Sequence, residues 1–133
     1  MDVVAEALVA ELARKTGLCW LRHDGRDHAV WHVWHDEALC LVAGGEEQPL
    51  PDIPDGAVVE VVMHSLDTGG RVLTWVGLVS VVLPEEEAWP GTTAALVAGR
   101  LNLRDPATAA ERWAAGSVVR RITPTGEFSR PGR

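Results

Sequence analysis

Apolar residues at a helical spacing begin the chain. Val4, Leu8 and Leu12 recur one helical turn apart, and Gly17 follows the stretch at a position that suits a helix end. This pattern predicts an amphipathic helix over 3–15 whose apolar stripe packs against the strands that follow.

After this helix, β-branched and aromatic residues are concentrated in short runs bounded by turn residues, a pattern that predicts strands. The predicted strands cover 18–22, 28–34, 38–43, 57–64, 71–83 and 117–123. Gly77 interrupts the longest of them and predicts a bulge or a bend. The proline-rich and acidic segment 44–56 has no periodicity and is predicted to be a loop.

Three histidines in the second run bear on a metal hypothesis. In a helix, His28, His32 and His35 would share one face like metal ligands, whereas a strand separates them over two faces. The neighbouring Val30 and Trp31 favour a strand. We therefore predict a strand–turn–strand unit here and no metal site.

His32 has two interpretations. Between Trp31 and Trp34 it could line a pocket or an interface, where it could transfer a proton or ligate haem iron. It could also be a hydrogen-bonded histidine of the core. The two tryptophans are predicted on opposite faces of one strand, so the barrel interior cannot easily hide both, and the N-terminal helix could cover one of them.

Two helices are predicted after the long strand. The first covers 92–101, and the second begins at Asp105-Pro106, where aspartate can cap the helix and proline suits its first turn. A polar tail is predicted over 125–133, after a single domain over 1–124. The element order predicts a mostly β or α+β fold, with an antiparallel barrel, an N-terminal helix and two later helices.

Composition narrows the function classes. The formal net charge of −7 argues against nucleic acid as a partner, because phosphate contacts need clustered cations. No apolar run reaches the ~18 residues of a membrane span, and the acidic N-terminal segment is unlike a secretory signal. Cys19 and Cys40 lie between large apolar residues and are expected to be buried, reduced thiols. These features predict a cytoplasmic protein.

Four segments resemble one known superfamily. They are His-Ala-Val-Trp-His-Val-Trp at 28–34, Ala-Leu-Cys-Leu-Val-Ala-Gly-Gly at 38–45, Ala-Val-Val-Glu-Val-Val-Met-His at 57–64, and Gly-Gly-Arg-Val-Leu-Thr-Trp-Val-Gly-Leu-Val-Ser-Val-Val at 69–82. Their order and layout resemble the FMN-binding split β-barrel superfamily, the pyridoxamine 5′-phosphate oxidase-like proteins.

This resemblance implies an antiparallel split β-barrel that forms a homodimer with its cofactor sites at the subunit interface. A flavin-type cofactor, with FMN expected first, would support an oxidoreductase activity by hydride or electron transfer. Deazaflavin F420, haem or no cofactor are the alternatives found among relatives. The alternative function is a cofactor-free binding or interaction module of the same fold.

One departure from the family pattern redirects the expected site. In FMN-binding relatives, the loop after the third strand carries hydroxyl and cationic side chains for the phosphate. Here that loop holds Glu46 and Glu47, which would repel a phosphate dianion. The expected cofactor-binding residues are His64, Ser65, Thr68 and Arg71 for the phosphate, and Trp31 and His32 for the ring or the interface.

The phosphate assignment has one alternative. Segment 67–71 could instead be a plain hairpin turn whose glycines supply positive φ. Cations expected to reach a cofactor groove are Arg22, Arg26 and Arg71. No serine-nucleophile elbow and no Gly-Lys-Ser/Thr phosphate loop is present, so no catalytic residue is assigned.

Overall fold

The described residues form seven antiparallel strands and three α-helices. The computed structural model describes residues 3–64, 72–100 and 103–129. The helices are α1 (Val3–Lys15), α2 (Ala88–Gly99) and α3 (Ala109–Gly116), with a 3₁₀ turn at Pro106–Thr108. The strands are β1 (Leu18–His23), β2 (Arg26–Trp31), β3 (Val33–His35), β4 (Ala38–Ala43), β5 (Val58–His64), β6 (Val72–Val82) and β7 (Val118–Ser129).

The sheet closes on itself at a single residue. The strand order β2-β1-β5-β6-β7-β4-β3 places β2 at one edge and β3 at the other, although these two strands are consecutive in the chain. Because β2 ends at Trp31 and β3 begins at Val33, the two edges meet at His32. The sheet therefore curls into an antiparallel split barrel, which confirms the predicted fold class.

β4 is buried on both faces and separates two cores. Leu39 and Leu41 join the interior core of the barrel together with Trp75 and Ile122. The alternate residues of β4 join a helix-side core between the sheet and helices α2 and α3. The buried members of that second core are Cys40, Val42, Val82, Leu96, Ala109, Trp113 and Val119. Each large side chain removed from water in this way contributes about 1.5–3 kcal/mol of burial free energy.

Helix α1 packs against the interior core with a face different from the predicted one. Val9 and Ala13 are fully buried there and Leu12 packs against them, whereas Leu8 is 43% exposed. The helix bounds over 3–15 are confirmed. The predicted stripe through Leu8 was wrong because the tertiary contact turns positions 9 and 13 inward, and the side chain of Val4 lies outside the described residues.

The strand predicted over 28–34 is two strands that are interrupted at His32. The His32 N–H donates to the Gly17 carbonyl at 3.1 Å. The side-chain amide of Gln48 bonds to the backbone of Trp31, the residue before His32. Gln48 Oε1 accepts from the Trp31 N–H at 2.7 Å. Gln48 Nε2 donates to the carbonyls of Trp31 at 2.9 Å and Val42 at 3.1 Å. We call residues Trp31, His32 and Val33 the seam. A side chain replaces the missing ladder there.

Helix α2 begins at Ala88, earlier than the predicted start at position 92. Pro90 lies in its first turn, where the missing N–H of proline has no intrahelical partner to lose.

The second helical segment begins at Pro106 as predicted, but Asp105 does not cap it. Asp105 has a left-handed φ of 45° and makes no side-chain cap hydrogen bond. Arg112 instead reaches back and donates to the carbonyls of Asp105 and Arg104. A positively charged side chain thus ties the turn before α3 to the helix.

The bulge predicted at Gly77 is confirmed, since the register between β6 and β7 shifts between Trp75 and Gly77. A Cβ at Gly77 would clash with Ile122, so the position requires glycine. β7 extends past its predicted end at Thr123 because it continues to pair with β6 beyond Pro124, which lies opposite Gly77. The predicted division into a domain over 1–124 and a tail over 125–133 stays a prediction.

We expect Gln48→Ala to lower the free energy of unfolding by about 2–3 kcal/mol, because it leaves polar backbone groups of the seam without partners. Gln48→Glu keeps the acceptor for Trp31 but loses the donor for two carbonyls, and should be at least as harmful. Urea unfolding followed by tryptophan fluorescence measures both. Glu46→Gln, with an exposed side chain in the same loop, is the control; equal stability of all four proteins would contradict the role of Gln48.

Candidate functional site

A cleft lies over the seam, between the end of α1 and helix α2. Its volume is about 460 Å³, within the range of small-molecule sites. The seam and β3 contribute Trp31, His32 and Trp34 to its wall. The other residues that line it are Ala13, Arg14, Thr16, Gly17, Val33, Ala95, Ala98 and Gly99.

Small residues on α2 account for both the cleft and the closeness of the helix to the seam. A Cβ at Gly99 would clash with Val33, so α2 approaches β3 as closely as it does only because position 99 is glycine. Ala95 and Ala98 end at Cβ and leave open the space beside Trp31. The sequence thus builds a cavity by omitting side chains from one helix face.

His32 is a buried polar residue in the wall of the cleft. Its side chain is 2% exposed, and its Nε2 lies 3.2 Å from the Ala13 carbonyl. A carbonyl partner requires the proton on Nε2, so Nδ1 carries the lone pair, and Nδ1 is buried without a partner among the described residues. Burial lowers the pKa of His32 from its ordinary value, and the hydrogen bond to Ala13 opposes that shift in part. His32 is therefore neutral at pH 7.

Trp31 lines the cleft and also contacts the arginine of a partly buried ion pair. The Arg100 guanidinium carbon lies 5.6 Å from the Trp31 ring centroid, a cation–π distance. Arg100 also pairs with Glu47, whose side chain is only 8% exposed. Arg100 follows the last residue of α2 with extended backbone geometry, which directs its side chain away from the helix.

The predicted repulsion of a phosphate by Glu46 and Glu47 is reduced, because both carboxylates lie near arginines. Glu47 is neutralised by Arg100, and Glu46 is exposed and lies 4.0 Å from Arg104. The loop does not present two free carboxylates to a ligand.

Two of the six predicted cofactor-binding residues meet in the cleft, namely Trp31 and His32. His64 is exposed at the end of β5 and makes an edge-to-face contact with Trp20, with ring centroids 4.9 Å apart; it does not line the cleft. Ser65, Thr68 and Arg71 lie outside the described residues, so their assignment stays a prediction.

Of the three cations expected near a cofactor groove, Arg22 and Arg26 do not line the cleft, and Arg71 lies outside the described residues. Arg22 is paired with Asp27 and Glu60, whereas Arg14 lines the cleft and Arg100 lies beside Trp31. Arginines near helix ends are common, and no local signal separates these two from the others. Only the packing of α1 and α2 around the seam identifies them.

The outer sheet face is covered by helices on one side only. Helices α2 and α3 cover β4 and β7, whereas on β1, β5 and β6 several outer residues of the described structure are exposed, although Val62 and Thr74 are buried. Leu18, Val58 and Leu78 are 48%, 63% and 43% exposed, and Val58 lies opposite Leu78 in the β5–β6 register. We call this surface the open face. Leu18 and the Val58–Leu78 pair lie toward opposite ends of this surface, and the Arg22–Glu60 ion pair lies between them.

Both cysteines are buried free thiols, as predicted. Burial raises the pKa of Cys19 to about 12 and that of Cys40 to about 11. Both are therefore protonated near neutral pH and are poor nucleophiles.

The described residues contain neither a cluster of metal ligands nor a membrane-spanning helix. No three histidine, cysteine or acidic side chains of these segments come together as metal ligands. None of the helices in the same segments is long and apolar enough to cross a membrane.

Solved structures of the same fold align with nearly the whole chain. The haem storage protein HutZ from Vibrio cholerae superimposes with a TM-score of 0.59 at 16% identity, covering 94% of this chain and 93% of that one. A Listeria innocua protein provisionally named a pyridoxamine 5′-phosphate oxidase gives 0.58 at 16% identity, with 97% and 99% covered. The chain has the split-barrel fold of the pyridoxamine 5′-phosphate oxidase-like proteins.

The FAD-binding protein from Mycobacterium smegmatis is a further split barrel of this kind, with a TM-score of 0.59 at 14% identity and 98% of each chain covered. No family model matches the sequence, and no curated protein matches it. The resemblance predicted from the sequence is thus confirmed for the fold.

We expect the stability of the split barrel to fall in acid partly through His32. Its pKa is lower in the folded than in the unfolded chain, so its contribution is complete above the unfolded value of about 6.5 and is lost as the pH falls below it. His32→Gln cannot titrate. The difference in Tm between wild type and this variant should shrink from pH 7.5 to pH 5, as measured by differential scanning fluorimetry. A difference that stays constant or grows would contradict a neutral, buried His32.

Proposed function

We propose that this split barrel binds a flavin-type cofactor in the cleft over the seam and acts as an oxidoreductase. The observation that carries the proposal is the cleft itself, about 460 Å³ in volume with Trp31 and Trp34 in its wall. Ligand sites combine apolar and aromatic walls with a few polar groups, and the cleft has both.

The residues present are compatible with a flavin. The tryptophans offer flat apolar surface to a planar ring, and the small residues Ala95 and Ala98 leave room for it. The buried Nδ1 of His32, which has no partner in the described structure, is an acceptor beneath the cleft wall. Arg14 and Arg100 are cations close to Trp31 or the cleft rim.

Each of these residues would have a distinct role. The tryptophans would hold the ring and exclude water, and His32 would stay neutral and keep its Nε2 proton on the Ala13 carbonyl. When bound, a flavin supplies the hydride or electron transfer, while the protein supplies orientation and hydrogen bonds. FMN is the first cofactor to test, followed by F420 and haem, and the phosphate contacts predicted at His64, Ser65, Thr68 and Arg71 remain part of the proposal.

A homodimer is the second part of the proposal. The open face carries Leu18 near the half-buried Trp20 at one end and the exposed Val58–Leu78 pair at the other, and a second copy of the same face would cover them symmetrically. A dimer of this kind would place the cofactor site near the subunit interface, because Trp31 lies opposite Leu18 in the β1–β2 register. A cytoplasmic location also stays a prediction.

The alternative is a cofactor-free binding module of the same fold. It is favoured by the Arg100–Glu47 pair, because the arginine that lies over Trp31 is already paired with a carboxylate. Absence of binding by every cofactor tested below would support this alternative.

We expect purified protein to bind FMN, F420 or haemin saturably, with quenching of tryptophan fluorescence and a ligand absorbance band between about 300 and 600 nm. Ala98→Leu places three extra carbons, as a branched group, in the cleft and should weaken binding at least about tenfold. Ala94→Leu is the matched control, since residue 94 is exposed on the same helix and does not line the cleft. Equal binding by the two variants would place the ligand elsewhere, and no quenching by any ligand would reject the cofactor proposal.

We expect a dimer in sedimentation-velocity experiments, and Val58→Arg should raise its dissociation constant at least about thirtyfold by burying an unpaired charge in the open face. Leu83→Arg is the control, because Leu83 is comparably exposed at 46% but follows the end of β6. A wild-type monomer at micromolar concentration, or equal dissociation by both variants, would contradict this interface.

A further inference from the structure

A second groove lies between the loop after β4 and the end of α3. Its volume is about 320 Å³, at the small end of the range of ligand sites. The residues that line it are Gly45, Glu46, Glu47, Arg112, Trp113, Ala115, Gly116 and Ser117. None of these residues lines the cleft over the seam, so a ligand bound here would be independent of the flavin-type cofactor proposed above.

Glycines bring the two walls of this groove together. Gly45 has a left-handed φ of 64°, and a Cβ at this position would clash with the Gly116 carbonyl. Ser117 Oγ donates to the Gly44 carbonyl at 2.9 Å and fastens the loop to the helix end. Gly116 and Ala115 place little side chain in the space between the walls, which leaves room for a compact ligand.

Two buried side chains of the groove have hydrogen-bonding capacity left to offer. Trp113 is 1% exposed, and its indole Nε1 is buried without a hydrogen-bond partner in the described structure. A buried donor that lacks a partner is costly, so a ligand carbonyl that reached it would be stabilised. The Glu47 side chain is 8% exposed and Arg100 pairs with its Oε1. A carboxylate has about four lone-pair sites, so Glu47 can also accept from a ligand N–H.

The charges around the groove are already balanced by neighbours. Arg112 is the one arginine that lines the groove in the described structure, and it donates to three oxygens of the turn 104–108. Glu47 is paired with Arg100, and Glu46 is exposed and lies 4.0 Å from another arginine. An anionic ligand would meet two carboxylates and an arginine that is already bonded, which favours an uncharged ligand.

We propose that this groove is a second binding site, for a small uncharged ligand that carries a carboxamide or a lactam on an apolar body. The ligand carbonyl accepts from Trp113 Nε1, and the ligand N–H donates to the Glu47 carboxylate. A carboxamide suits this pair because it offers an acceptor and a donor side by side without a charge. The apolar body lies against Ala115 and Gly116.

Benzamide is the probe, and two relatives of the same size separate its features. Benzamide should bind saturably in a saturation-transfer difference NMR titration. Benzoate has the same ring and a negative charge, and should bind at least about tenfold more weakly. Acetophenone keeps the ring and the carbonyl but has no N–H, and should bind at least about threefold more weakly than benzamide.

Two further measurements locate the probe. In ¹H–¹⁵N spectra the indole N–H signal of Trp113, identified by its absence in Trp113→Phe, should move downfield with benzamide more than the signals of the other tryptophans. Ala115→Leu fills the groove and should weaken binding at least about tenfold. Ala114→Leu is the matched control, because Ala114 is exposed on the same helix and does not line the groove. Thermal unfolding confirms that each variant is folded.

Three outcomes would overturn the inference. The first is the absence of saturable benzamide binding by the wild type. The second is equal binding by Ala115→Leu and Ala114→Leu. The third is a larger shift of the Trp31 or Trp34 signal than of the Trp113 signal, which would place benzamide in the cleft. The NMR shift is measured on the wild type, so it decides the matter even if a variant does not fold, and none of these outcomes bears on whether the cleft binds a flavin.

Discussion

The split in the barrel imposes one constraint on which the rest of the structure depends. Where the two sheet edges meet at His32, the regular ladder ends, and backbone N–H and C=O groups at the barrel wall need other partners. Gln48 provides them with one side-chain amide, which bonds both polar groups of the Trp31 backbone and the Val42 carbonyl. The Gly17 carbonyl accepts from the His32 N–H.

The same constraint creates the candidate site. Because the seam is held by a loop and by the end of α1, the Trp31 and His32 side chains are fixed where α2 crosses the split. Two independent elements then meet at Trp31: the acidic loop through Glu47 and the helix end through Arg100. Gln48 therefore holds the backbone of Trp31, while the adjacent Glu47 pairs with the arginine that lies over the Trp31 ring.

Local chemistry predicted much of the fold. The uncharged run at 38–43 is a strand buried on both faces, and Gly77 marks a real register shift. The break at His32 could not be predicted, because the partner that replaces the ladder, Gln48, lies 17 residues away and its role depends on tertiary contact. For the same reason the cleft residues Trp31 and His32 were found in the sequence, but the helix-end Arg14 and Arg100 were not.

The position of β4 has a consequence for folding during synthesis. β4 pairs with β3 next to it in the chain, but its other edge pairs with β7, so that Leu39 lies opposite Ile122. Until the ribosome has released the last strand, an uncharged six-residue segment keeps an unpaired edge and two apolar faces in water. Such a segment associates with its own copies. Chaperone demand during synthesis should therefore be concentrated between the emergence of β4 and that of β7.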